Sequence, residues 1–219
     1  MRMKKYVIFN IAVLISFTTS CNSKKEDKAE SNILSANPVL IDTTQIKNEI
    51  DGNFISKYKR RFKDNYTIKF EKDCDLNKDG QTDKIFIFEP LKIKNNKQTK
   101  DSPVCVLIKK EKDYTIYENK NIIYTSFFNS MAEGLQDLVV KDNYFTIEEN
   151  NVASDIRQND YITFLYDLKS DKIILHKYGI EFISSDGEND STVTYSNKDF
   201  NTINFSSFDI DVIKEMLIK

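Results

Sequence analysis

From residue 66 onward the chain is a succession of short β-branched and aromatic runs separated by charged turns, a spacing that leaves little room for anything but antiparallel sheet. Strands are predicted at 66–70, 84–88, 104–109, 114–118, 122–125, 137–141, 144–148, 161–166, 172–178 and 191–195. Tyr66, Ile68 and Phe70 alternate with Thr67 and Lys69, and Ile162, Phe164 and Tyr166 repeat the period of two that marks a half-buried strand. The segment 167–171, Asp-Leu-Lys-Ser-Asp, reads as a hairpin turn between two such runs. Lys63-Asp64-Asn65-Tyr66, Lys112-Asp113-Tyr114 and Lys141-Asp142-Asn143-Tyr144 each place a polar turn before an aromatic-led strand. Their irregular spacing suits hairpins rather than a solenoid. The expected fold class is mainly β, a single antiparallel meander or propeller-like domain with a helix at each end. Phe54, Ile55, Tyr58 and Phe62 recur at helical spacing and leave Lys57, Lys59, Arg60, Arg61 and Lys63 on a wet face. At the other end Ile210, Ile213 and Leu217, with Val212 and Met216, form the apolar face of a second helix.

Within this pattern one stretch carries chemistry: Asp75-Leu76-Asn77-Lys78-Asp79-Gly80-Gln81-Thr82-Asp83, followed by the apolar run Ile85-Phe86-Ile87-Phe88. Oxygen-bearing side chains at alternate positions, a glycine at the sharp turn and a further carboxylate let one short loop collect several oxygens around a hard cation, for which Ca2+ is expected. Asp75, Asn77 and Asp79 would supply side-chain oxygens, Gln81 its backbone carbonyl, and Asp83 a direct or water-mediated contact. The pattern resembles EF-hand-type loops, and more closely the D-x-N-x-D-G-x-x-D variants that precede a strand in extracellular proteins. It departs from an EF-hand at the twelfth position, where Phe86 replaces the bidentate Glu, and in being followed by a strand. Affinity in the range of roughly 10⁻⁴–10⁻³ M is therefore expected. Asp186-Gly187-Glu188-Asn189-Asp190 is also acidic, but its spacing suits a loop rather than a second site.

The chain opens with a basic stretch (Arg2, Lys4, Lys5), an apolar core from Tyr6 to Phe17 and Thr18-Thr19-Ser20 before Cys21. This reads as a secretory signal peptide over residues 1–20, too short to span a bilayer as a helix. Thr18-Thr19-Ser20-Cys21 resembles a relaxed bacterial lipobox, which implies a lipidated, palmitate-bearing Cys21 and an outer-membrane lipoprotein facing the periplasm or the cell surface. Lys25-Glu26-Asp27 resembles a surface-export signal. Residues 21–42 are polar and charged and read as a solvated tether, leaving 43–219 as one calcium-loop-containing β domain.

Removing residues 1–20 takes three basic residues from 32 and leaves 29 against 34 acidic, a net charge of −5 that argues against nucleic-acid binding. With Cys21 acylated, Cys74 and Cys105 remain in an oxidising compartment and are expected to form a disulfide. His176 stands alone, and no P-loop, G-x-G-x-x-G or G-x-S-x-G occurs, so no catalytic constellation is legible. Carboxylates are too abundant for any one pair to be singled out.

Taken together, Cys21, the oxygen loop and the blocks 138–147, 161–164 and 175–177 resemble small envelope lipoproteins of the kind that inhibit invertebrate-type lysozyme or confer immunity to secreted cell-wall hydrolases. That resemblance implies an all-β, propeller-like fold with the ion as a structural element; a monomer whose protein partner is a hydrolase or toxin is expected. A surface glycan- or nutrient-binding lipoprotein and a hydrolase with an unrecognised carboxylate site are the alternatives. The segments 129–134 and 150–160, which lack periodicity, are the expected presenting loops.

Overall fold

A computed structural model describes residues 43–92, 100–124, 133–153, 156–185 and 190–217, with backbone alone at 43–51, 152 and 153. The expected Cys21 anchor, its tether and residues 129–132 and 186–189 lie outside the described residues. The fold is mainly β. The helix α1 (Thr43–Arg60) leads into β1 (Tyr66–Cys74), β2 (Asp83–Pro90), β3 (Val104–Lys110) and β4 (Asp113–Asn119). Then follow β5 (Gly134–Lys141), β6 (Tyr144–Ala153), β7 (Ile156–Asp167), β8 (Lys172–Ser184) and β9 (Ser191–Ser196), a 3-10 turn at Phe205–Ser207, and α2 (Ile210–Leu217). Strands β1 to β4 form one antiparallel sheet and β5 to β9 a second, each in sequential order. Among the described residues no helix is long and apolar enough to cross a membrane.

The unbroken run Ile85–Phe88 is explained by burial on both faces of β2. Ile85 and Ile87, with Val104, Val106 and Ile108 of β3, pack against Phe145, Ile147, Ile162 and Phe164 of the second sheet. Phe86 and Phe88, with Cys105 and Leu107, face the other way onto Ile55 and Tyr58 of α1 and Phe62 of the turn after it. A strand covered on both sides reads as continuous apolar sequence, whereas β7, covered on one, alternates. Phe62 stacks on Phe88 at 4.1 Å between ring centroids, and the Tyr58 hydroxyl donates to Glu118 at 2.6 Å, so α1 is held to the first sheet by packing and by hydrogen bonding. The far end of the inter-sheet core is closed by Phe205, Phe208, Ile210 and Ile213.

Four expectations are corrected here. Residues 122–124 are not a strand: Ile122 and Ile123 are buried, but in an irregular segment. Residues 150–153 and 156–160 are not a loop, because Asn150 pairs with Asn159, Asn151 with Gln158, Val152 with Arg157 and Ala153 with Ile156. That hairpin end lies beyond the core, so nothing selects the alternating apolar residues by which a strand is recognised. In α2 only Ile210 and Ile213 are buried, while Val212 and Met216 face solvent.

The fourth correction is the disulfide, since Cys74 and Cys105 are both free. Cys74 pairs with Asp83 of β2 and Cys105 with Phe86, so β2 lies between them. Two strand spacings and three residues of rise separate the Cα atoms by about 14 Å, against an upper limit of about 7 Å for a disulfide. They also face opposite ways, Cys74 into the inter-sheet core and Cys105 toward α1. The Cys74 thiol is pushed up to about 12 by burial and then by the carboxylates of Asp83, Asp73 and Asp75, and burial pushes Cys105 up to about 12 as well, so neither is a reactive thiolate near neutral pH.

Candidate functional site

The loop between β1 and β2 is pinned at its base before it offers anything to a ligand. Leu76, fully buried, inserts between the sheets and fixes the loop's entry. Asp83, also fully buried, accepts hydrogen bonds from the backbone N–H groups of Leu76 at 2.8 Å and Lys109 at 2.7 Å, with a weaker one from Asn77 at 3.4 Å. It therefore ties the loop's two ends to each other and to β3. Burial raises its carboxyl to about 6 against the pull of these amides.

Above that base the predicted residues converge. Asp75 accepts the N–H of Asp79 on one oxygen and that of Gly80 on the other, both at 3.0 Å. Asn77 Oδ1 accepts the Asp79 N–H at 3.2 Å, and Asp79 Oδ1 accepts the Gln81 N–H at 2.8 Å. Asp79 Oδ2 accepts from the side-chain amides of Asn77 at 2.9 Å and Gln81 at 3.1 Å. Burial acts to raise the Asp79 carboxyl, but the hydrogen bonds from Gln81 and Asn77 outweigh it and hold the group below the usual carboxylate range. The left-handed turn that closes this network falls on Lys78, at φ 59°, and Gly80, at φ 78°.

A carboxylate has about four lone-pair sites and an amide oxygen two, so Asp75 and Asn77 retain acceptor capacity after their loop amides are satisfied. Gln81 Oε1 is buried and has no hydrogen-bond partner. An acceptor left without a donor among carboxylates fits a hard cation, and so does the all-oxygen donor set. Among the described residues no cluster of three or more His, Cys, Asp and Glu side chains is gathered to hold a metal, so a site here would lean on Asn77, Gln81 and backbone oxygen beside the carboxylates.

A second constellation is invisible in the sequence. Glu149 of β6 and Asp160 of β7 are cross-strand partners, each 1% exposed, where the apolar inner face of the second sheet ends. Asp160 accepts from Tyr178 Oη at 2.7 Å, Gln158 Nε2 at 2.9 and 3.0 Å, Asn151 Nδ2 at 3.1 Å and Lys214 Nζ at 3.2 Å. Glu149 has far less: Oε1 accepts the Tyr124 N–H at 3.1 Å, and Oε2 has no partner. Burial, and then the charge of Asp160, pushes the Glu149 carboxyl up to about 8, with Lys214 opposing. Burial also raises the Tyr124 and Tyr178 hydroxyls. The Tyr124 hydroxyl donates to Asp211, and Lys100 bridges Asp209 and Asp211 at 2.5 Å each, so the network clamps α2 and the segment after β4 onto the second sheet. Two carboxyls with such different surroundings are the raw material of acid–base chemistry. At 1% exposure both lie beneath the surface, where their hydrogen bonds tie the second sheet to α2 and to the segment after β4.

His176, the lone histidine, sets its ring edge-to-face against Tyr144 at 4.9 Å, and burial lowers its basicity, which suits a packing residue.

The class these features define is a two-sheet antiparallel β protein with one helix packed against its first sheet and an Asx-rich, oxygen-lined loop between its first two strands. No protein-family model, curated protein or solved structure matches the chain.

Proposed function

We propose that this chain is an envelope lipoprotein, anchored in the outer membrane by an acylated Cys21, whose β domain binds and blocks a cell-wall hydrolase or secreted toxin as an inhibitor or immunity protein does. Ca2+ braces the domain at Asp75, Asn77, Asp79 and Gln81, with Asp83 closing the loop. The observation that supports the binding role is the end of the β6–β7 hairpin. Strands β6, β7 and β8 continue past the last buried residues, Glu149 and Asp160, and remain paired out to Ala153, Ile156 and Ser184. Ile156 is 50% exposed there beside an exposed Arg157, an apolar and a cationic side chain on paired strands. A paired hairpin is ordered before it meets a partner, which lowers the entropic cost of inserting it into a cleft.

The test is capture of envelope and secreted proteins on the purified chain, followed by a peptidoglycan-lysis assay with the captured hydrolase. Ile156→Asp combined with Arg157→Glu should weaken inhibition at least ten-fold, as expected for a central anchor, without moving the melting transition. Unchanged inhibition would remove the hairpin from the reading. A second reading, a surface glycan- or nutrient-binding lipoprotein, is favoured by the opposite face of the second sheet. There Tyr144, Tyr161 and His176 are half-exposed beside Thr146, Thr163 and Asn159, whose Oδ1 has no hydrogen-bond partner. Retention of an oligosaccharide with no protein partner would decide for it. The anchor is tested separately: Cys21→Ser should move the chain from the detergent phase to the aqueous phase.

A further inference from the structure

The outer side of α1 carries a feature that neither the oxygen loop nor the hairpin uses. Between α1 and the edge strand β1 lies a groove of about 530 Å3. Its floor is apolar, formed by Phe62, Tyr66, Ile68 and Phe88, and its rim is cationic, with Lys59, Arg60 and Lys63. Lys59 is engaged by Glu71 at 2.6 Å, and Arg61, in the turn just after the helix, by Glu118 at 2.9 Å. Arg60 and Lys63, and Lys57 one turn before, are exposed and form no ion pair among the described residues. Three exposed cations on the end of α1 and the turn after it, without an ion pair among the described residues, are out of keeping with a mature chain of net charge −5. Charge segregated in this way marks the partner as anionic, and an apolar floor under a cationic rim marks it as amphiphilic.

We propose that this groove binds the phosphate headgroup of an anionic phospholipid in the membrane that the Cys21 anchor enters. Arg60 and Lys63 take the phosphate oxygens, for which a guanidinium fork and an ammonium are suited donors. The aromatic floor takes the glycerol and the first methylenes. The inference rests on the anchor reading only to say which membrane is at hand. Residues 22–42, read from their composition as a solvated tether, would span about 25 Å root-mean-square, which keeps the domain within reach of the bilayer surface. Acyl chains on Cys21 would already retain the protein, so the groove's role is orientation: it turns the α1 side of the domain toward the lipid.

The experiment uses the mature-length chain with Cys21→Ser, which has no acyl chain, in co-sedimentation with vesicles of phosphatidylglycerol and phosphatidylcholine and with phosphatidylcholine alone. Binding is expected to the anionic vesicles only and to be stripped by 1 M NaCl. Each Lys or Arg near an anionic surface strengthens association about five-fold, so Lys57→Ala/Arg60→Ala/Lys63→Ala should weaken it on the order of a hundred-fold, with an unchanged melting curve because all three side chains are exposed. No binding to anionic vesicles, equal binding to neutral ones, or affinity that survives both salt and the triple substitution would overturn the proposal. Because this chain lacks the anchor, failure of the anchor reading would show only in detergent partitioning of the wild type.

Discussion

Replacing Glu149 with Gln should flatten the pH dependence of stability between pH 6 and 9. In the folded chain Glu149 is held near 8, first by burial and then by Asp160, against 4.5 for the free side chain. A carboxyl whose folded value is raised binds its proton more tightly in the native state. Its contribution to stability is therefore complete below 4.5 and is lost as pH rises through 8. Each pH unit in that window costs up to about 1.4 kcal/mol, and integrating from pH 6 to 9 gives a loss of about 2–3 kcal/mol. For a chain of this size that is roughly 5–10 °C in Tm. Gln keeps an oxygen for the Tyr124 N–H and cannot ionise, so Glu149→Gln should lose none of it. Lys214, Tyr178, Tyr124 and Asp211 remain in both proteins, and Asp83, which titrates lower, near 6, cancels in the comparison. The assay is urea unfolding of wild type and variant at pH 6, 7, 8 and 9. Parallel stability lines would refute the reasoning, because they would mean that water reaches Glu149 or that Asp160 does not oppose its charge.

Calcium at millimolar concentration should raise the melting temperature by a few degrees, since ten-fold excess over Kd adds about 1.4 kcal/mol; Asp79→Ala should abolish that rise, and identical calcium responses in both proteins would count against the loop. Thiol titration of the mature chain under denaturing, non-reducing conditions should find both Cys74 and Cys105 free, with reductant leaving the melting curve unmoved; a protected pair would contradict the strand register. Gly52→Ala should stabilise α1 by about 0.5–1 kcal/mol, because a methyl group there meets no atom within 4 Å, and a measured destabilisation would show that the helix is not formed at that residue.

What could be read from the sequence was whatever local chemistry determines. Asp75, Asn77, Asp79 and Asp83 mark a turn whose side chains bond the loop's own backbone, and such an Asx pattern is written in local sequence. Alternation in Tyr161–Tyr166 and continuity in Ile85–Phe88 report one-sided and two-sided burial directly, and Tyr66 and Tyr144 begin the strands β1 and β6 that their polar turns announce. Ile122 and Ile123 read from sequence as part of a strand and not as an irregular segment, because an apolar pair has no period.

Tertiary structure alone decided which residues meet. Strand parity set Cys74 and Cys105 on opposite faces, and parity depends on a register that neither cysteine signals. The end of the β6–β7 hairpin lacks alternating apolar residues because it stands beyond the core, so the usual mark of a strand is missing where residues 150–153 nonetheless pair with 156–159. Glu149 and Asp160 lie eleven residues apart in a chain rich in acids, and only the hairpin's register makes them cross-strand partners. Burial by α2 and the Tyr124 segment then turns one ordinary glutamate among many into a proton-holding group, because the energy of a charge is set by what surrounds it and not by its neighbours in sequence.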